Sequence, residues 1–403
     1  MVTIYTQAYN VENYIAQCIE SVLGQSYGEF EWILVENGSQ DRTREIIQIY
    51  EKKDARIKCI YHDVNQTGFA QDYICQYAQG EYIAKLDSDD FWGSRYLEKL
   101  VEAMETQKAD LACCKAAVLD EANDKRHCHG FRQYKGLVTA ENIAGLYSEI
   151  EVDMNTYWAK LMKKDLFLKA DYAYRELHRE KNGAGYAGDT IFMYCYLNEC
   201  HKSVFLTDVL YFYRLHRKNA SKTAIDVTMA EDCRRSFDVK REFLQKCGAW
   251  NQKNAVLVYQ AFWRNIDELF RKIVKSEGMD NQQKVNAVLG ILSGRNALEL
   301  RREYCDSYIR QILSAQIAWC YVHAGKESED VFRKALVTLE PDLFSEMTKE
   351  QYRFLMSEKA LLSLMILGEW EEAQRRLEGI GLEGGMGREL YACFYDRLML
   401  DRA

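Results

Sequence analysis

Four times in its first hundred residues the chain passes from a short apolar run to a segment whose apolar residues recur at helical spacing. The runs are VTIYT (2–6), FEWILV (30–35), RIKCIY (56–61) and EYIAKL (81–86). After the first, Val11, Ile15, Cys18, Ile19, Val22 and Leu23 mark one helical face, and REIIQIY (44–50) follows the second. Phe69, Ala70, Tyr73, Ile74, Tyr77 and Ala78 mark the third helix, and Tyr96, Leu97, Leu100, Val101 and Met104 the fourth. Continuous apolar strands suit a sheet buried on both faces, and helical crossovers join strands that run parallel. The expectation is an α/β domain with a mostly parallel sheet and helices on both faces. Asn10 stands where it would cap the first helix. In such sheets ligands bind beyond the carboxyl ends of the strands. Tyr9, ENGS (36–39) and DSDD (87–90) all follow strands, so they should meet at one rim.

The stretch DSDDFW (87–92) sets three carboxylates, Asp87, Asp89 and Asp90, where an apolar run stops. They would repel one another without a compensating group. One reading is a helix cap and turn, with Asp and Ser accepting backbone N–H bonds ahead of the helix at 94–104. The other is a hard-cation site, because carboxylates two residues apart at a strand end can face one Mg²⁺ or Mn²⁺. The cluster alone fits either.

Three motifs in order, YNVENYIAQCIESVLGQSY (9–27), ILVENGSQDRTREII (33–47) and GEYIAKLDSDDFW (80–92), resemble the nucleotide-sugar domain of family 2 glycosyltransferases. The resemblance is dense over the first hundred residues and weaker to about residue 225. It implies the GT-A fold and inverting transfer of a sugar from a nucleoside diphosphate, with Mn²⁺ or Mg²⁺. It further implies that DSD is the family's metal signature. Asp89 would then be the direct ligand, Asp87 would contact the ribose and the metal shell, and Ser88 between them would bind the donor. Tyr9 would set its ring against the base, and Glu36 and Asn37 would line the base edge. Asn37 stands where the family has Asp, and its amide offers a donor and an acceptor, which keeps uracil open. Gln71, in GFAQDYI (68–74), would be donor-binding and stands where the family commonly has an arginine, so a cation facing the diphosphate is either missing or supplied elsewhere.

Two later stretches extend the resemblance. YAGDTIFMYCYL (186–197) is similar to the family's helix that opens with the catalytic base, which implies Asp189 for that role. Gly188 replaces the family's usual acidic residue, and Gly-Asp before an apolar helix is also a plain cap. An acceptor hydroxyl must lose its proton as the glycosidic bond forms, so the chemistry needs such a carboxylate; a helix N-terminus favours its charged form. Asp153 and Glu151 are the next candidates. LYFYRLHRKNAS (210–221) resembles the family's closing loop. It implies His216 as a third metal ligand, with Arg214, Arg217, Lys218 and Ser221 closing on the diphosphate.

Strand signals end near residue 225, which suggests a GT-A domain over 1–225 and an all-α domain over 226–403. Gly325 and Gly368 each separate two apolar helical segments, in a pattern resembling tetratricopeptide-like hairpins. Such a domain would pack on the transferase or hold an acceptor, a protein partner or a membrane face. A net charge of −8 does not suit a nucleic-acid binder. The start MVTIYTQAYN lacks the basic and apolar regions of a secretory signal, and no run approaches ~18 apolar residues. Thirteen cysteines with no CxxC pair read as reduced thiols. The expected location is cytoplasmic, with peripheral attachment at the inner face of the membrane where the acceptor is lipid-linked. The expected partners are a nucleotide-sugar donor and a hydroxyl of a glycan, a lipid-linked glycan or a wall polymer. Two rivals stand: a nucleotidyltransferase, and a binding or scaffold protein on a decayed transferase domain, for which Gln71, Asn37 and Gly188 speak.

Overall fold

A computed structural model describes residues 1–66, 70–120, 125–128, 134–178, 186–216, 229–309, 312, 313, 316, 319 and 320, with backbone alone for 70, 71 and 125–128. The glycine-centred hairpins at 325 and 368 lie outside the described residues. The elements of the sheet region run β1 (Val2–Ala8), α1 (Ile15–Leu23), β2 (Phe30–Asn37), α2 (Thr43–Glu51), β3 (Ile57–His62), α3 (Ala70–Tyr77) and β4 (Tyr82–Lys85). They continue with β5 (Phe91–Trp92), α4 (Tyr96–Gln107), β6 (Leu111–Asp120), β7 (Lys125–Cys128), β8 (Gly136–Thr139), α5 (Ile143–Met154), β9 (Lys160–Lys163), α6 (Lys164–Leu177), α7 (Gly188–Glu199) and β10 (Lys202–Leu215). After them come the helices α8 (Met229–Lys246), α9 (Gln252–Lys275), α10 (Asn281–Ser293) and α11 (Arg295–Glu303).

One mixed sheet of ten strands has the order β3-β2-β1-β4-β9-β6-β10-β5, with β7 on β6 and β8 on β10. β3, β2, β1 and β4 are mutually parallel, and β10 runs parallel to β6. Between these two parallel blocks β9 is antiparallel to both β4 and β6. The four repeats of the sequence therefore form the first half of the sheet as expected. β2 is buried at all eight positions, which is why FEWILV reads as a run and not as an alternation. α1 buries Ile15, Cys18, Ile19 and Val22 on one face, and these join Ile4, Trp32, Leu34, Leu97 and Leu100 in one core.

Asn10 does not cap α1. The helix is entered through Tyr14 without a side-chain cap bond. Asn10 instead takes a left-handed conformation at φ 52°. Its N–H donates to Ser39 Oγ at 3.0 Å and its Oδ1 accepts from the Gln40 N–H at 2.8 Å. It ties the end of β1 to the loop after β2, a link that local spacing cannot show. Gly38 in that loop sits at φ +75°, and a Cβ there would lie 2.5 Å from the Val64 carbonyl carbon, so only glycine fits.

The chain divides into two compact units, Met1–Ala224 with Arg235–Val258, and Ile225–Arg234 with the residues from Tyr259 on. Within the first, Lys240 of α8 pairs with Glu151 at 2.8 Å, and both side chains are buried. Within the second, α10 opens on a capping box between Asp280 and Gln283, and Trp263, Phe270, Ile273, Val288 and Leu292 are buried. Among the described residues no helix is long and apolar enough to cross a membrane.

Candidate active site

The three carboxylates of the acidic stretch do not share one counter-charge; each has its own partner. Asp87 Oδ1 lies 3.1 Å from Lys85 Nζ. Asp89 Oδ2 lies 3.0 Å from His216 Nε2. Asp90 is fully buried and turns inward, accepting from the Tyr211 hydroxyl at 2.7 Å and from the Arg214 N–H at 2.8 Å. The Tyr211 hydroxyl also accepts from the Asp87 N–H at 3.3 Å, which fixes the turn that holds the buried Ser88. None of these residues caps the following helix, whose N-cap is Arg95 with no side-chain cap bond. The cap reading of the stretch therefore fails.

The site carries negative charge in excess of what its partners offset. Burial, then the charge of Asp87, pushes the Asp89 carboxyl up, against the hydrogen bond from His216. Burial, then Asp87 and Asp89, pushes Asp90 well up. Among the described residues no three acidic, histidine or cysteine side chains converge as a ready-made metal cage. Carboxylate oxygens and an imidazole are nonetheless a donor set that suits Mn²⁺ or Mg²⁺, and a buried surplus of negative charge is what a cation would relieve.

Lys85 is the cation that sequence reasoning missed. Its ammonium lies 5.0 Å from the Tyr157 ring centroid. Burial alone would lower its pKa; the charge of Asp189, then those of Asp87 and Tyr157, outweigh burial and raise it. Asp189 itself is exposed in the first turn of α7. It is not that helix's cap, since the cap position belongs to Ala187 at φ 57°. Lys85 thus feels both Asp87 of the acidic stretch and Asp189, the residue expected to be the base. A lysine at the end of the apolar strand that precedes the acidic stretch was the available signal.

At the other end of the rim Tyr9 is 39% exposed just beyond β1, so it is not a packed rim aromatic. Glu36 is fully buried; Arg44 Nε donates to its Oε2 and the Ser39 N–H to its Oε1, both at 2.6 Å. Asn37 donates to Asn65 Oδ1 at 2.6 Å and to the Gln66 carbonyl at 2.9 Å, and its own Oδ1 lies 2.9 Å from His62 Nδ1 and accepts from the Gln66 N–H. His62 Nε2 in turn meets the Tyr73 hydroxyl at 2.7 Å. The base-reading amide expected from the sequence is thereby joined to a relay of His62 and Tyr73. Arg214 is buried; its guanidinium bonds to Gln17 and lies over the rings of Tyr14 and Phe91. Arg217, Lys218, Ser221 and the Gln71 side chain lie outside the described residues.

Residues 3–168 match the family model described as "Glycosyl transferase family 2". The chain is 28% identical over 251 residues to the uncharacterized glycosyltransferase EpsJ of Bacillus subtilis (strain 168), a span of 62% of this chain and 71% of that one. It is 27% identical over 256 residues to glycosyltransferase GlyG of Streptococcus pneumoniae serotype 4, covering 60% of this chain and 79% of that one. It is 37% identical over 109 residues to WfaP of Escherichia coli, covering 27% of this chain and 43% of that one. WfaP is named as a UDP-Glc:alpha-D-GlcNAc-diphosphoundecaprenol beta-1,3-glucosyltransferase. Over residues 3–168, this chain is a glycosyl transferase of family 2 by its match to the family model.

Proposed function

We propose that the chain moves a sugar from a nucleoside-diphosphate sugar to a hydroxyl of a glycan, a lipid-linked glycan or a wall polymer, inverting the anomeric carbon and using Mn²⁺ or Mg²⁺. The observation that supports this most is the assembly at the carboxyl end of β4. There the Asp89–His216 contact joins the acidic signature to the end of β10, and Lys85 lies beside Asp87. Asp87, Asp89 and His216 would hold the cation. Bound there, it would offset the negative charge that develops on the departing diphosphate.

The residues do the rest. Asp189 accepts the proton of the acceptor hydroxyl as that oxygen bonds to the anomeric carbon. The bond from that carbon to the phosphate oxygen breaks, and its electron pair leaves with the nucleoside diphosphate. Lys85 keeps one positive charge beside Asp87 where the chain has Gln71 in place of the family's arginine. Tyr9, Glu36 and Asn37 border the nucleoside end. The name of WfaP supports trying a UDP-sugar and a polyprenyl-diphosphate-linked acceptor first. Residues 1–225 carry this chemistry. The helices from 226 on position the acceptor or a partner, at the inner membrane face where the acceptor is lipid-linked.

The test is product identity. Incubation with UDP-sugars, Mn²⁺ and a diphosphate-linked acceptor should release a nucleoside diphosphate and yield a glycoside of inverted configuration. Release of pyrophosphate would indicate a nucleotidyltransferase, and a retained configuration would exclude the single displacement.

A further inference from the structure

Four side chains form one stack that ends on the acidic signature. The Arg214 guanidinium carbon lies 4.9 Å from the Phe91 ring centroid and 5.1 Å from that of Tyr14. The Tyr14 ring is stacked on His216, with centroids 4.7 Å apart and planes at 22°. His216 Nε2 then reaches Asp89 Oδ2 at 3.0 Å. The stack is anchored at Arg214, whose N–H donates to buried Asp90 and whose guanidinium donates to Gln17 on α1.

This explains two features that the mechanism does not use. Asp90, apart from the proposed ligands, holds the backbone of β10 two residues before His216. Arg214, although buried, lies over two aromatic rings. An imidazole just past the end of a strand could otherwise adopt several rotamers, and a ligand held in one geometry binds better than one that must be ordered on binding.

We propose that Tyr14 and Arg214 are positioning residues that hold the His216 ring, through this stack, in the orientation that shares a cation with Asp89. The proposal rests on the reading of Asp89 and His216 as metal ligands. It assigns Arg214 to the architecture of the site, in place of contact with the diphosphate.

The experiment is Mn²⁺ binding to the full-length chain followed by electron paramagnetic resonance, with Mn²⁺ alone and with Mn²⁺ plus UDP. Tyr14→Leu and Arg214→Met should each weaken Mn²⁺ binding by roughly 10–100-fold, the usual effect of losing a residue that orients a ligand, while Tyr14→Phe stays within about twofold of the wild type. The echo modulation from a bound imidazole nitrogen should vanish in His216→Ala and diminish in Tyr14→Leu. Melting curves without metal identify folded variants; Tyr14→Met fills the volume without a ring and serves if Tyr14→Leu does not fold. Wild-type Mn²⁺ affinity in Tyr14→Leu or Tyr14→Met, alongside weakened binding in His216→Ala, overturns the positioning role and leaves the metal reading standing. Unchanged affinity and modulation in His216→Ala overturns both.

Discussion

Asp153, on α5, offers a quantitative test of the domain's buried electrostatics. Its residue is 4% exposed, and its Oδ1 has no hydrogen-bond partner among the described residues. Burial pushes its pKa up to about 7, against the charges of Lys160 and Lys115, and Glu151 adds to the rise. In the unfolded chain an aspartate titrates near pH ~3.9. Between about pH 4 and pH 7 the native state therefore binds more protons than the unfolded state, and stability falls as pH rises through that window. About three pH units at ~1.36 kcal/mol each set a ceiling of about 4 kcal/mol on the cost at pH 8. Asp153→Asn removes the ionisation and keeps the shape. The variant should be about 1–4 kcal/mol more stable than the wild type at pH 8, the lower figure allowing for an amide whose N–H groups find no partner. That gain should fade as pH approaches 4. Urea unfolding at both pH values measures it. A difference between variant and wild type that does not change with pH would refute the buried, strained carboxylate.

Two further substitutions probe chemistry and packing. Asp189→Asn should leave donor binding and folding nearly intact while the transfer rate drops by roughly 10²–10⁴-fold, the usual contribution of a general base. Because Ala187 holds the cap position of α7, Asp189→Ala should not show the ~1 kcal/mol loss of a removed cap; a wild-type transfer rate in Asp189→Asn would move the base elsewhere. Lys240→Met removes the ammonium that pairs with the buried Glu151 carboxylate, which also accepts from Asn155 Nδ2 at 2.9 Å, and should cost about 3–5 kcal/mol; an unchanged melting temperature would show that the pair is not a sealed one.

The parallel half of the sheet was legible because each of its strands is followed by an amphipathic helix, and apolar periodicity reports burial directly. The same logic put Tyr9, Glu36 and Asp87 at one rim. What periodicity cannot report is which distant group answers a charge. Lys85 reads as one polar residue at the end of a strand, yet it stands beside Asp87. Nothing in the local pattern singles out Tyr14, yet its ring is stacked on His216, some two hundred positions away in the chain. Asn10 looked like a cap because capping is a local signal, and its real partners, Ser39 and Gln40, are not local. β9 escaped notice for a related reason. Its four residues, KLMK, carry two charges, and its place between β4 and β6 is decided by antiparallel pairing on both sides.

The central claim is that donor binding passes through a cation held at Asp89. Calorimetric titration of a panel of nucleoside-diphosphate sugars, with Mn²⁺ and then with EDTA, into the wild type and into Asp89→Asn tests it most directly. The account predicts that at least one donor binds the wild type with Mn²⁺, and that both EDTA and Asp89→Asn abolish or greatly weaken that binding. Undiminished donor affinity in EDTA and in Asp89→Asn alike would contradict it.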